Sequence, residues 1–132
     1  MLTGSCHCGR VRYEVQDRVH GFKHCHCTDC RKINGTVYAS SALTGGAGFR
    51  VTSGEGELER YESSPGKRRC FCRNCGSHLF AYYENDPSVI ILRVGTLDQP
   101  PGVPLEAHIW VSQKADWYEI CDEVPQYPEY IT

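Results

Sequence analysis

The chain has 132 residues, 14 lysines and arginines against 16 aspartates and glutamates, and a formal net charge of -2. That length is expected to form one domain, residues 1–132, and the near balance of charge excludes a general nucleic-acid binder, which is basic overall. The longest aliphatic run, Val89-Ile90-Ile91-Leu92, is far short of the ~18 residues of a membrane span. Met1–Ser5 offers neither the basic nor the apolar part of a signal peptide, so a cytoplasmic, reducing location is expected.

In chain order, Val11, Tyr13 and Val15 alternate with Arg10, Arg12 and Glu14, the period of a half-buried strand. Thr28 can cap one short helical turn over Asp29–Asn34. Five glycines between Gly45 and Gly56 read as loop and hairpin, with Phe49 and Val51 packed between them. Ser88–Val94 is a β-branched run ended by Gly95 and predicts a buried central strand. Ala107, Ile109 and Val111 alternate with His108, Trp110 and Ser112 and predict another strand. The tail Pro125–Tyr130 cannot form a regular element, and its tyrosines are expected to lay it on the surface. Glycine and proline interrupt most other helical windows, so the fold class is all-β.

Only 40% of the residues are apolar, below the usual ~45–50%, so the core needs help. Nine cysteines supply it. They fall at Cys6 and Cys8; at Cys25, Cys27 and Cys30; at Cys70, Cys72 and Cys75; and alone at Cys121. Without an export signal, clustered thiols read first as metal ligands. Cys72-Arg73-Asn74-Cys75-Gly76 is a knuckle with the sulfur spacing that tetrahedral zinc requires, and Cys6-His7-Cys8-Gly9 is its natural other half. Four thiolates close the shell, so that zinc would be structural and part of folding.

The middle cluster differs. Cys25, Cys27 and Cys30 bring three sulfurs to one ion and leave a fourth position to another group or open. Such a zinc is a weak Lewis acid toward water but can hold an incoming thiol as thiolate. A fourth thiolate would bring the centre to a net charge of minus two. Arg31 and Lys32 could offset that charge and hold substrate carboxylates. The alternative is a second closed site completed by Cys70. Strand alternation argues against it, because Cys70 then shares a face with Cys72 and ligates neither ion.

Gly4-Ser5-Cys6-His7-Cys8-Gly9 followed by Val11–Val15, then His24–Lys32, then Arg69–Gly76, resembles the glutathione-dependent formaldehyde-activating enzyme family, also called centromere-protein-V-like. The similarity continues through Val94–Asp98, His108–Trp110, Trp117–Ile120 and Gln126–Pro128. The resemblance implies an Mss4-like fold of coiled antiparallel β-sheets stabilised by zinc, two ions per chain. It implies a structural zinc on Cys6, Cys8, Cys72 and Cys75, and an exchangeable one on Cys25, Cys27 and Cys30 near bound glutathione. The implied activity is that of a carbon–sulfur lyase that joins formaldehyde to glutathione, so the expected partners are a small-molecule thiol and an aldehyde. A thiol carrier without turnover and a structural zinc protein are the rival readings.

Among other residues, His24 and His26 are expected to point away from the metal by strand alternation. His108 is either a hydrogen-bond partner of the site or a satisfied half-buried histidine. His78 is an extra nitrogen beside the last knuckle. Trp110 and Trp117 are expected in the core and Cys121 as an inert buried thiol. Lys67, Arg68 and Arg69 either reach an anionic ligand or form a solvated hairpin tip.

Overall fold

Alternation at the N-terminus produces a strand, and its apolar face closes one side of the core. In the computed structural model, which describes residues 1–131, β1 (Leu2–Ser5) and β2 (Arg12–Val15) pair antiparallel. Tyr13 and Val15 of β2 are buried. The glycine-rich segment is not simply loop. Phe49 and Val51 alternate toward the core and draw β5 (Phe49–Ser53) into an antiparallel pair with β2. The glycines are confined to the 3-10 turns Gly46–Gly48 and Glu55–Glu57 and their edges.

The large sheet contains β3 (His20–Cys25), β4 (Ala39–Gly45), β6 (Leu58–Ser64), β7 (Lys67–Cys72), β8 (His78–Tyr83), β9 (Asp86–Arg93) and β10 (Ala107–Ile109). Their order is β10-β3-β4-β9-β8-β7-β6, so the β-branched run does lie at the centre. All pairs are antiparallel except β10 with β3. Phe49 joins the two sheets, with its ring centroid 5.3 Å from Tyr13 and 4.7 Å from Phe80. The protein is mostly β with one short helix, α1 (Thr28–Asn34). The helix is capped by Cys27, whose sulfur accepts the Cys30 N–H, and not by Thr28. Among the described residues no helix is long and apolar enough to cross a membrane.

The last predicted strand stops early. β10 ends at Ile109 because Trp110 takes a left-handed backbone with φ 56°. The chain then turns under the tail, which supplies carbonyls from Tyr127, Pro128 and Glu129 to the N–H groups of Val111, Ser112 and Trp110. The tail is therefore held by its backbone as well as by Tyr127, which packs against the small cluster that contains Ala107 and Ile109. Two expectations fail here. Trp117 is 75% exposed, not core, and Cys121 is exposed, not buried. Both fall in an irregular segment where no ladder dictates which side chains turn inward.

Tyr13 carries a testable consequence. Its hydroxyl is 2.7 Å from Thr96 Oγ1, and burial pushes its pKa up to about 12. The unfolded phenol ionises near ~10, so above that pH the unfolded state loses a proton that the folded state keeps. Stability is expected to fall between about pH 10 and 12, by up to about 1.4 kcal/mol per pH unit. Denaturant midpoints across that range check this, and Tyr13→Phe should flatten the slope.

Candidate metal centres and the adjoining cleft

Each half of the first cluster is a tight turn at the start or end of a strand. After β1, Gly9 N–H donates to Cys6 O at 3.1 Å; after β7, Gly76 N–H donates to Cys72 O at 2.8 Å. Both glycines take a left-handed backbone, φ 79° and 81°, which a side chain disfavours. His7 N–H donates to Ser77 Oγ at 3.0 Å and ties the two turns together. Cys6 Sγ is 3.6 Å from Cys8 Sγ, and Cys8 Sγ is 3.8 Å from Cys72 Sγ. A tetrahedron with metal–sulfur bonds of ~2.3 Å has edges of ~3.8 Å. The four sulfurs of Cys6, Cys8, Cys72 and Cys75, all within 4.8 Å of one another, fit such an ion. Val11 N–H donates to Cys6 Sγ, and the hydrogen bond from Ser77 lowers the Cys75 pKa to about 5.

The second cluster is assembled where β3 runs into α1. Cys25 ends the strand, Cys27 caps the helix, and Cys30 turns inward from its first turn with 4% exposure. Their sulfurs also lie within 4.8 Å of one another. Hydrogen bonds from Cys25 and Cys27, with the charges of Arg93 and Arg69, hold the Cys30 thiol far below its ordinary range. Arg69 Nη1 is 3.7 Å from Cys30 Sγ. Arg69 and Arg93 are 2% and 8% exposed, and among the described residues neither has a carboxylate within 4.0 Å. Among the described residues, serines are their only polar side-chain partners besides the sulfur, Ser63 for Arg69 and Ser41 for Arg93. A buried cation without a counter-charge is costly, and here the Cys30 thiolate supplies it.

Cys70 belongs to neither sulfur group. It is fully buried in the main core beside Cys72, as the period of β7 requires. Burial pushes its thiol up to about 12, so it stays protonated. On the opposite face of β7 Arg69 reaches the Cys30 sulfur, while Arg68, on the face of Cys70 but nearer the hairpin end of the strand, pairs with Glu84 and Glu62. His78 is in neither group and stacks on Phe71 at 5.1 Å.

The histidines form their own chain. His26 Nε2 is 2.9 Å from His108 Nδ1, and His108 Nε2 is 3.0 Å from Asp122 Oδ2. His24 stacks on Tyr38 at 3.9 Å and bonds Ser40. None bonds a cysteine sulfur. Burial lowers the pKa values of His24 and His26 to about 4, which keeps both neutral at pH 7. Asp122 carried no sequence signal, because nothing local links it to His108, 14 residues earlier.

A cleft of about 470 Å³ opens onto the second cluster. Cys25 and Cys30 stand in its lining, with Leu43, Val89, Ile91, Ile109 and Trp110 as apolar wall. Its cations are Lys23, Lys67 and Arg93. Arg31 and Lys32, in the last turn of α1, do not line it. Lys32 is exposed, and Arg31 keeps a buried Nε with no partner. Lys23 and Arg93 had no sequence signal as site residues. They reach the cleft through the register of β3, β4 and β9, in which Lys23 faces Ser41 and Ser41 faces Arg93.

A mostly β chain with a four-sulfur and a three-sulfur cluster, the latter beside a cleft, defines a class of cysteine-rich metal-site proteins. Residues 1–113 match the family described as glutathione-dependent formaldehyde-activating enzyme, and the chain belongs to that family. It is 33% identical over 128 residues to a protein of Halomonas elongata whose name assigns it provisionally to those enzymes; the match covers 91% of this chain and 81% of that one. An uncharacterized lyase of Schizosaccharomyces pombe is 22% identical over 125 residues, covering 94% and 88%. A crystal structure of a Rhodobacter sphaeroides protein superposes with a TM-score of 0.62 at 28% identity, covering 77% of this chain and 90% of that one.

Proposed function

We propose that the chain is a zinc-dependent carbon–sulfur lyase-like enzyme that joins a small aldehyde, formaldehyde, to a low-molecular-weight thiol, glutathione. In this reading the fold is Mss4-like and each chain holds two zinc ions. Cys6, Cys8, Cys72 and Cys75 hold the structural ion; Cys25, Cys27 and Cys30 hold the exchangeable one. Zinc in the second cluster would keep an incoming thiol deprotonated at neutral pH.

The observation that carries the reading is the pair of buried arginines without carboxylates. Three thiolates on a dipositive ion leave a net charge of minus one, and a fourth thiolate makes it minus two. Arg69 and Arg93 supply plus two beside Cys30. The site is thus balanced for an anionic sulfur rather than a neutral fourth ligand. In the synthetic direction the thiolate sulfur attacks the aldehyde carbon, a C–S bond forms, and the carbonyl π pair moves to oxygen. Arg93, on the cleft wall with Cys25 and Cys30, meets that developing charge. No histidine lines the cleft among the described residues, so water delivers the proton to the oxygen.

The adduct also forms without an enzyme, so the test is rate. Exchange between free formaldehyde and its glutathione adduct, followed by magnetization transfer, is expected to exceed the protein-free rate in proportion to zinc-loaded protein. Thiol binding without acceleration would support a carrier. A wild-type protein that takes up no thiol would support a structural zinc protein. Cys70→Ser is expected to stay folded, retain two zinc ions and still bind thiol, because Cys70 lies in neither sulfur group. Loss of one ion in that variant would move Cys70 into the second shell of sulfurs.

A further inference from the structure

The large sheet has two edges, and the structure covers one of them. Beyond β10 the tail lies alongside, with Gln126 bridged to His108 and the Tyr127 N–H donated to His108 O. At the other edge β6 pairs with β7 on one side, and among the described residues no strand pairs with its outer side. An open strand edge offers unpaired N–H and C=O groups to another chain. Which groups point outward follows from the ladder to β7. Arg73 N–H donates to Glu57 O at 2.8 Å, and bonded pairs alternate with unbonded ones along an antiparallel ladder. Glu59 and Tyr61 are therefore bonded to Phe71 and Arg69, while Arg60 and Glu62 turn their N–H and C=O groups outward. Outside that ladder, Arg60 O is reached by the Arg68 side chain at 3.4 Å. Leu58 N–H is taken by Glu55 O, which closes the start of the strand.

Glu59, Arg60, Tyr61 and Glu62 are all exposed, Tyr61 by 55%. Arg60 and Glu62 carry opposite charges on one face of β6, on either side of Tyr61, so the edge is complementary to itself. Two such edges bond only with outward residues opposite outward ones, which puts a two-fold axis on a residue and not between two. An axis at Glu59, Arg60 or Glu62 sets like charges face to face, and one at Ser63 leaves most of the strand unpaired. An axis at Tyr61 sets Arg60 opposite Glu62 twice and spans the whole strand, Leu58–Ser64. We infer that the partner of this edge is a second copy of the chain, with the two β6 strands antiparallel about Tyr61. Arg60 and Glu62 of each copy then exchange about four backbone hydrogen bonds. Their side chains extend existing ion pairs, Arg60 with Glu55 and Glu62 with Arg68, into a row of alternating sign that crosses the seam twice. Tyr61 meets Tyr61 of the second copy as an unbonded pair, the closer kind. Opposed residues share a face, and Tyr61 opposes Arg69 across β6 and β7. Both arginines that reach Cys30 through this strand therefore lie on one face of the joined sheet.

Sedimentation velocity over a concentration series, with zinc-loaded protein throughout, reads the pairing. Wild type is expected to run as a concentration-dependent dimer. Arg60→Glu places like charges opposite each other at both pairs and should weaken the dimer at least about tenfold. Combining Arg60→Glu with Glu62→Arg reverses both signs and should restore it, which a merely destabilising change would not do. Far-ultraviolet circular dichroism checks that each variant is folded. Cross-linking reads the register. Opposed unbonded Cα atoms lie ~4.5 Å apart, within reach of a disulfide. Cys121→Ser removes the exposed thiol outside the two sulfur groups. In that background Tyr61→Cys should cross-link on mild oxidation, while Glu59→Cys, ~14 Å from its own copy, should not. A wild type that stays monomeric at every concentration overturns the inference. So does a dimer that Arg60→Glu leaves intact, that the charge swap fails to restore, or that cross-links through Glu59→Cys rather than Tyr61→Cys.

Discussion

Cys75→Ser is expected to lose most soluble protein and, in what remains, about one zinc per chain. The first cluster clamps the turn after β1 to the turn after β7, two segments more than sixty residues apart in sequence that belong to different sheets. Structural zinc contributes about 10–16 kcal/mol in small domains, which matches or exceeds the ~5–15 kcal/mol net stability of a whole domain. Serine keeps the hydrogen bond to Ser77 but supplies a poor ligand. Metal content by atomic emission and soluble yield decide the matter; a variant that folds normally with undiminished zinc would sink the structural assignment.

The second large effect is selective. Titration with a mild chelator is expected to remove about one zinc per chain and abolish thiol binding while far-ultraviolet circular dichroism is retained. Cys25 and Cys30 line the cleft, whereas an ion in the first cluster would already be closed in by four sulfurs. Cys30→Ser should reproduce the loss by substitution, lowering activity more than about a hundredfold, since losing even a supporting partner of a metal ligand costs 10–100-fold. The buried Arg69 and Arg93 would then face no thiolate at Cys30, so a modest loss of stability is expected beside it. Both metals leaving in one step with unfolding would contradict the division of labour between the clusters.

Much of the sulfur clustering was legible in the chain because the cysteine spacing within each motif is local. Cys72 to Cys75 and Cys25 to Cys30 are short turns, and their sulfurs converge with little choice of tertiary arrangement. Period two placed Cys70 with Cys72 and turned His24 and His26 from the sulfurs for the same reason. Irregular segments offered no such rule. Trp117 and Cys121, outside any ladder, turned outward, and Trp110 left its strand with its N–H donated to Glu129 O of the tail.

The amino-acid sequence by itself determined the two sulfur sets, a central strand over Ser88–Val94 that the structure places at Asp86–Arg93, and the mostly β character, all of which follow from spacing and period. Tertiary structure alone decided which charges meet the sulfurs of the second cluster. Arg31 and Lys32 neighbour Cys30 along the chain, but the last turn of a short helix carries them off the cleft lining. Arg69 and Arg93 come from strands far away in sequence, and the strand order β4-β9-β8-β7 brings both to Cys30. Charge acts through space, so its placement follows sheet register, which no local pattern of residues encodes.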